Sequence, residues 1–378
     1  SVARFNASHG SPADRRELIE RVRSVDDALA TPIGTLLDLP GPEIRTAEMD
    51  EPITLSAGDI VGFVEGGETT PDQIGLSASI DAVEAGDRIL LDDGRIEATV
   101  TESDSGVRAR LESGGELDSR TGVNVPGVDL GLPAVTEQDR RELDVAAAAN
   151  VDFVAGSFVR SAADVYEIGA ELDERDADIP IIAKIERADA VENIDEIIDV
   201  ADGIMVARGD LGVECPLEDV PIIQKRIIRK CRAAGVPVIT ATEMLDSMIS
   251  EHRPTRAEAS DVANAVLDGT DAVMLSGETA IGDHPAEVVA TMARIIRDVE
   301  DSEEYAETLE QRVPPAGETR TDALARSARF LARDVGASAV VAASESGYTA
   351  RKAAKYRPNI PIVASTPDDR VRRQLTLT

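Results

Sequence analysis

From Val151 onward, five short β-branched runs alternate with amphipathic stretches of helical period. The runs are VDFVAGSF (151–158), PIIAKIE (180–186), GIMVARGD (203–210), PVITATE (237–243) and AVMLSGE (272–278). Between them lie residues 161–174, 189–198, 218–234 and 258–268. Uniform alternation implies parallel strands joined by crossover helices, and this many units favours closure into a (β/α)8 barrel over an open sheet. VARFN (2–6) and IGTLLD (33–38), separated by a helix that opens after Ser11-Pro12, supply two more units. That makes seven strands, one short of closure.

Residues 46–125 break the rhythm with short alternating strands and Gly/Asp turns, as in GDRILLDDGRIEATV (86–100), where Asp93-Gly94 marks a hairpin. Helix resumes at Thr136, with Thr136-Glu137-Gln138-Asp139 as its N-cap. An all-β lid is therefore expected after a barrel strand, on the side where catalytic-face loops emerge. Pro314-Pro315-Ala316-Gly317 reads as a linker. Beyond it, a helix, the strand ASAVVAAS (337–344), a helix and the strand PIVAS (361–365) read as the start of an open α/β domain. The expected division is a barrel over 1–45 and 126–312, its first βα unit missing, a lid over 46–125 and a partial C-terminal α/β domain over 318–378. The expectation is a chain that is partial at both ends.

Charge bounds the partners. The 378 residues carry 72 acidic and 39 basic side chains, for a net charge of −33. No basic face is available to neutralise phosphates, which argues against nucleic acid. The absence of an 18-residue apolar run, or of a basic-then-apolar leader, argues against a membrane role. Two cysteines, Cys215 and Cys231, cannot frame so large a fold, so a reduced, cytoplasmic protein is expected. Lysine scarcity beside this carboxylate excess suggests adaptation to concentrated salt, where the Debye length falls to about 3 Å and self-repulsion is screened. The plain alternative is an ordinary acidic protein.

Catalytic groups of a barrel collect at the C-terminal ends of its strands. Lys184 and Glu186 stand two residues apart at one such end, on the same face. The next strand runs into Arg208-Gly209-Asp210-Leu211-Gly212. Glu186 and Asp210, two carboxylates with few other protein ligands, suit Mg2+, which keeps waters and takes substrate oxygens. A rim salt-bridge cluster of lysine, glutamate and aspartate accounts for the same residues without catalysis. Arg4, Asn6, Ser8 and His9 follow the first strand, while Asp38 precedes Pro40-Gly41-Pro42-Glu43-Ile44-Arg45. Arginines beside oxygen ligands fit a phosphoryl-transfer site, although no Walker A or kinase glycine loop occurs.

With these residues placed, the chain resembles the pyruvate kinase family along essentially its whole length. The matching stretches are ARFNASHG (3–10), LLDLPGPEIRT (36–46), GVNVPGVDLGLPAVTEQD (122–139), VDFVAGSFVR (151–160), IIAKIERADAVENIDEI (181–197) and GIMVARGDLGVE (203–214). Residues 237–287, from PVITATEMLDSM to AIGDHPAE, are close to diagnostic. The resemblance implies a TIM barrel, an inserted β lid and a C-terminal α/β domain. It implies phosphoryl transfer from phosphoenolpyruvate to ADP, giving pyruvate and ATP in glycolysis, by a homotetramer dependent on Mg2+ (or Mn2+) and K+. Lys184 would stabilise the transferring phosphoryl group and the enolate, and Glu186 and Asp210 would hold Mg2+. Gly209, Asp210 and Thr242 would hold the substrate carboxylate, and Arg4 the phosphate. Thr242, Ser276 and Glu278 would serve the proton path. Asn6, Ser8, Asp38 and the Leu39 carbonyl would hold K+, with Asn6, His9 and Arg45 on the nucleotide side.

The chain departs from the family pattern in places. Leu39 replaces a usual Thr, Glu43 is kept where K+-independent members tend to carry Lys, and Thr121 stands beside Arg120 where a lid lysine is common. Arg187 replaces a frequent Asn, a change expected to matter little. Ser344-Glu345-Ser346-Gly347-Tyr348-Thr349 hints at a phosphate loop. Two rival readings stand beside the kinase: a metal-dependent barrel lyase or aldolase acting through pyruvate enolate, and an inactive truncated paralogue.

Overall fold

The structure, a computed structural model, describes every residue of 1–378 except Ala30, Ser105 and Glu318, the last being the first residue of the expected C-terminal domain. Seven parallel strands form one sheet in chain order: Val2–Asn6, Gly34–Asp38, Phe153–Gly156, Ile181–Ile185, Gly203–Ala207, Val238–Ala241 and Ala272–Val273. Neighbours are held in register by pairs such as Arg4↔Leu36, Val154↔Ile181 and Met205↔Ile239. Side chains of period two divide this sheet between two cores. Leu36, Phe153, Ala155, Ile182, Met205, Ile239 and Ala241 fill the interior. Leu37, Val154, Ala183, Ile185, Ile204, Val206 and Val238 pack outward under the helices. The same parity carries Asp38, Ser157, Lys184 and Glu186 onto the interior-facing set, where the strands end.

The crossover helices are bounded by local chemistry. Ser11 caps Pro12–Ala28 in a capping box with Asp14, Thr136 caps Glu137–Ala149 with Asp139, and Thr255 caps Arg256–Asp268 with Glu258. Left-handed Asn150, Gly235 and Gly269 terminate their helices.

The lid is a second seven-stranded sheet, ordered Ile44–Arg45, Gly122–Asn124, Arg88–Leu91, Ile96–Glu102, Val107–Leu111, Ile60–Glu65 and Gln73–Leu76. Its alternating residues build a core of their own around Val61, Phe63, Ile89, Leu91, Ala98 and Ala109. The first and last lid strands pair with each other, Gly122↔Arg45 and Val123↔Ile44, so the connections to and from the barrel lie side by side.

After residue 318, Arg320–Asp334, Val340–Ala343, Tyr348–Lys355 and Ile362–Ser365 make a two-stranded parallel α/β unit, followed by the helix Asp369–Gln374. This part docks on the barrel end opposite the strand C-termini. Leu377, 4% exposed, joins the interior cluster of Leu36 and Phe153. Arg357 donates to the carbonyls of Gly269 and Thr270 and to Asp271, at 2.8, 2.9 and 2.7 Å. None of the described helices is long and apolar enough to cross a membrane.

Asp152 is the hub of that end. Fully buried, it accepts from the Thr35 N–H and hydroxyl at 2.8 and 2.9 Å, from Arg23 at 2.9 Å and from Arg373 at 3.0 Å. It therefore ties the first helix, the second strand and the C-terminal helix together. Replacing Asp152 by Ala strands these donors and is expected to lower stability by about 3 kcal/mol, read by chemical denaturation; a loss under about 1 kcal/mol would show the hub to be incidental.

Candidate active site

A cleft of about 160 Å³ opens at the C-terminal strand ends, lined among others by Arg4, Asn6, Ser8, Lys184, Glu186 and Asp210. Lys184 is its centre. The ammonium lies 2.8 Å from Glu186 Oε1 and 3.3 Å from Asp38 Oδ1, and donates to Ser157 Oγ at 2.7 Å. Both carboxylates are 1% exposed. Burial alone would favour neutral lysine, but Asp38 and Glu186 outweigh it and raise the lysine's proton affinity above its ordinary value. Asp38 answers in kind: burial would raise its pKa, yet Lys184 and Arg4 hold it below the usual carboxylate range. The Arg4 Nε contact to Asp38 is 2.6 Å.

Glu186 is fixed from its other side, since the Phe158 N–H donates to Oε2 at 2.6 Å. Asp210 has the opposite electrostatics. Burial and the adjacent Glu186 push its pKa up to about 7, against the pull of Lys184, with Asp93 and Glu43 adding to the rise. Asp93 belongs to the lid turn between Arg88–Leu91 and Ile96–Glu102, so lid charge reaches this cleft. Two close carboxylates, one resisting ionisation, are a donor set that a divalent cation would neutralise. Among the described residues no group of three or more His, Cys, Asp or Glu converges for a metal. A cation here would thus be held by Glu186 and Asp210 and completed by water and substrate oxygens, which suits Mg2+.

The strand ends are locally strained. Phe158, Thr242 and Glu243 have φ of 55°, 68° and 54°, a region bulky and β-branched residues avoid. At Thr242 the hydroxyl accepts from the Gly209 N–H at 2.7 Å and donates to the Ala241 carbonyl at 2.8 Å. Arg208 clamps the turn through the Thr242 carbonyl at 2.8 Å and Asp261 at 2.7 Å.

The other expected residues divide between cleft and surroundings. Arg4, Asn6, Ser8, Thr242 and Ser276 line the cleft. Asn6 accepts from the Ser8 N–H at 3.1 Å, and the Leu39 carbonyl accepts from the Ser157 hydroxyl at 2.7 Å. Glu278 is buried and accepts from the N–H groups of Ser276 and Leu245 at 2.5 and 3.1 Å, so it anchors that loop. His9 is exposed, its carbonyl taken by Arg15. Arg45 turns to Glu43 and the Arg120 carbonyl, at 2.7 and 2.9 Å, at the lid's root. Thr121 is enclosed there, its N–H donated to Thr46. Ser157 was not singled out from sequence, although strand parity from Ala155 places it on the inner face.

A barrel whose strand ends gather one buried ammonium, its paired carboxylates and an arginine has the layout of a barrel active-site face. Residues 1–289 match the family described as "Pyruvate kinase, barrel domain" and residues 322–378 "Pyruvate kinase, alpha/beta domain". The chain belongs to the pyruvate kinase family. Curated relatives named pyruvate kinase include one from Bacillus licheniformis, 47% identical over 385 residues, and one from Geobacillus stearothermophilus, 45% identical over 392. Each match covers 100% of this chain and 66% of the relative, so the chain spans just under two thirds of their length. A solved pyruvate kinase from Cryptosporidium parvum superposes with a TM-score of 0.94 at 38% identity, covering 100% of this chain and 80% of that one.

The Asp210 shift carries a stability consequence. A carboxyl with a folded pKa above its unfolded value, about 3.9, favours folding least once both states are ionised. Its contribution therefore falls as pH rises from about 4 to 7. In metal-free protein at pH 8, Asp210→Asn is expected to raise stability by about 1–3 kcal/mol and flatten that decline. Equal pH profiles for both proteins would contradict the assignment.

Gly41 tests the packing behind the lysine. It has φ +70°, and an added Cβ would meet the Cβ and carbonyl oxygen of Ser157, each at 2.9 Å. Gly41→Ala is expected to shift Ser157 and lower stability by about 1–3 kcal/mol, read by thermal unfolding. A neutral substitution would mean the loop yields without moving Ser157.

Proposed function

We propose that this chain catalyses the pyruvate kinase reaction, transfer of the phosphoryl group of phosphoenolpyruvate to ADP. The observation that supports it most is the Lys184 ammonium fixed between two buried carboxylates, with Asp210 across the same cleft. In the reaction the enol oxygen–phosphorus bond breaks and a bond to the terminal ADP oxygen forms. The enolate left behind takes a proton at carbon and becomes pyruvate.

Lys184 and Arg4 bring positive charge to the phosphoryl oxygens and the developing enolate, where a water-poor site makes such charge most effective. The backbone at Gly209 and Asp210, with the Thr242 hydroxyl, holds the substrate carboxylate in exchange for the Gly209–Thr242 and Thr242–Ala241 hydrogen bonds. Thr242 and Ser276 stand on the route of the proton, and Glu278 acts by fixing the Ser276 loop. Mg2+ at Glu186 and Asp210 supplies Lewis-acid neutralisation when bound. Asn6, Ser8, Asp38 and the Leu39 carbonyl would hold K+ and so add a monovalent charge beside the phosphate, a reading that Glu43 in place of lysine supports. The nucleotide approaches on the side of Asn6, His9 and Arg45.

The same reading extends to setting. The charge of −33 with so few lysines supports a salt-rich cytoplasm. Exposed Leu217, Ile222, Ile281 and Val289 support subunit contacts of a homotetramer.

With phosphoenolpyruvate, ADP, Mg2+ and molar KCl, full-length protein is expected to form pyruvate and ATP in equal amounts. Lys184→Met should reduce turnover by at least about 10³-fold while phosphoenolpyruvate still binds. Aldehyde release independent of ADP would favour a lyase instead, and binding without any turnover an inactive paralogue.

A further inference from the structure

The helix Val220–Ala234 carries in its last turn a guanidinium that the protein leaves without acceptors. Arg232 is only 7% exposed, yet its Nε and Nη2 find no hydrogen-bond partner among the described residues. A cation in a last turn ordinarily donates to the final carbonyls and complements the helix dipole. Here the Cys231 carbonyl is taken by the N–H groups of Gly235 and Val236, at 2.8 and 3.0 Å. The Arg232 side chain is wedged against the Gly269 turn, where an added Cβ would meet its Nη1 at 3.4 Å. Burial, with Arg357 and Arg329 nearby, pulls its pKa down to about 10, so it is still a cation at neutral pH. A buried charge of this kind is costly unless a counter-charge answers it.

Arg232 lines a cavity of about 20 Å³ at the junction of the barrel and the C-terminal unit. Arg351, Lys355 and Arg357 line it from the C-terminal side and Asp271 from the barrel. Four basic side chains thus border it against one acidic side chain, in a protein whose net charge is −33. Asp271 is already committed, since Oδ1 accepts from Arg357 at 2.7 Å and Oδ2 from the Val238 N–H at 2.9 Å. Lys355 is answered by the buried Asp322 at 3.2 Å, and its stem covers Gly235, where an added Cβ would meet Cδ at 3.0 Å. Arg232 is the charge left over. Room of this size takes one water or one monatomic ion. A water would accept from the guanidinium but leave the cationic surplus in place, whereas a monatomic anion answers both.

We propose that this cavity is a halide site, in which chloride accepting from Arg232 bridges the helix Val220–Ala234 to the C-terminal unit. The anion is the counter-charge that lets Arg232 be buried between the two parts. Arg232 lies at the barrel end opposite the candidate active site, so halide binding stands apart from the phosphotransfer reading.

The test uses full-length protein at constant K+ and constant ionic strength, with chloride progressively replacing gluconate, an anion too bulky for the cavity. Relative to Arg232→Gln, which keeps a donor but no charge, the wild-type thermal midpoint is expected to rise by about 2 °C and then saturate. Arg232→Met should be at least as stable as the wild type in gluconate, because it removes a buried charge, and its advantage should narrow as chloride is added. Crystals of the wild type soaked in bromide should show an anomalous peak beside the Arg232 guanidinium, a reading of occupancy that needs no variant. A water with no bromide at that position, or a chloride response that Arg232→Gln and Arg232→Met share equally with the wild type, would overturn the proposal. Bromide seen in the crystal without any chloride response in solution would overturn it as well, as an adventitious ion only.

Discussion

The buried ammonium of Lys184 is the interaction on which the rest of this structure depends. Asp38 and Glu186 are both sealed from water, and the ammonium supplies each with a charge partner there. One lysine between two carboxylates leaves negative charge in excess, which Arg4 offsets at Asp38. At Asp210 burial and the Glu186 charge outweigh the pull of Lys184, and the consequence is a carboxyl whose pKa is pushed up to about 7. The cleft thus sets fixed positive charge at Lys184 and Arg4 against the paired carboxylates of Glu186 and Asp210.

The fold keeps that balance rigid by simple means. Strand parity turns the apolar residues of each strand to the interior or to the helices, and at the strand ends the same parity delivers the charged residues inward. Left-handed backbone at Phe158, Thr242 and Glu243 aims N–H groups and hydroxyls where a regular strand could not. At the far end Asp152, Arg357 and Arg373 close the structure with ionic contacts. Stability and chemistry are thereby separated along the barrel axis.

Much of this was legible in the sequence because its signals are local. Alternating β-branched runs announced the parallel sheet, and Ser11, Thr136 and Asp93-Gly94 announced caps and a turn. Lys184, Glu186 and Asp210 could be placed together because the first two end one strand and Asp210 follows its neighbour. What escaped depends on contacts between residues far apart in the chain. Ser157 looks like an ordinary serine until Lys184 and the Leu39 carbonyl are set beside it. Arg187 was expected to matter little, yet it reaches the Val128 carbonyl at the lid's root. The parallel pairing of Ile60–Glu65 with Gln73–Leu76 inside the lid, and the burial of Leu377 in the barrel interior, have no short-range signature. Glu278 lies in the short helix Gly277–Ala280 beyond the last strand, and only its two backbone donors reveal an anchor.

The central claim is that Glu186 and Asp210 form a two-carboxylate cation site beside Lys184. Mn2+ titration followed by electron paramagnetic resonance tests it most directly, on wild-type protein, Glu186→Gln and Asp210→Asn. One tight site in the wild type, weakened at least about tenfold in each variant, is the predicted result. Undiminished Mn2+ binding in either variant would contradict the account.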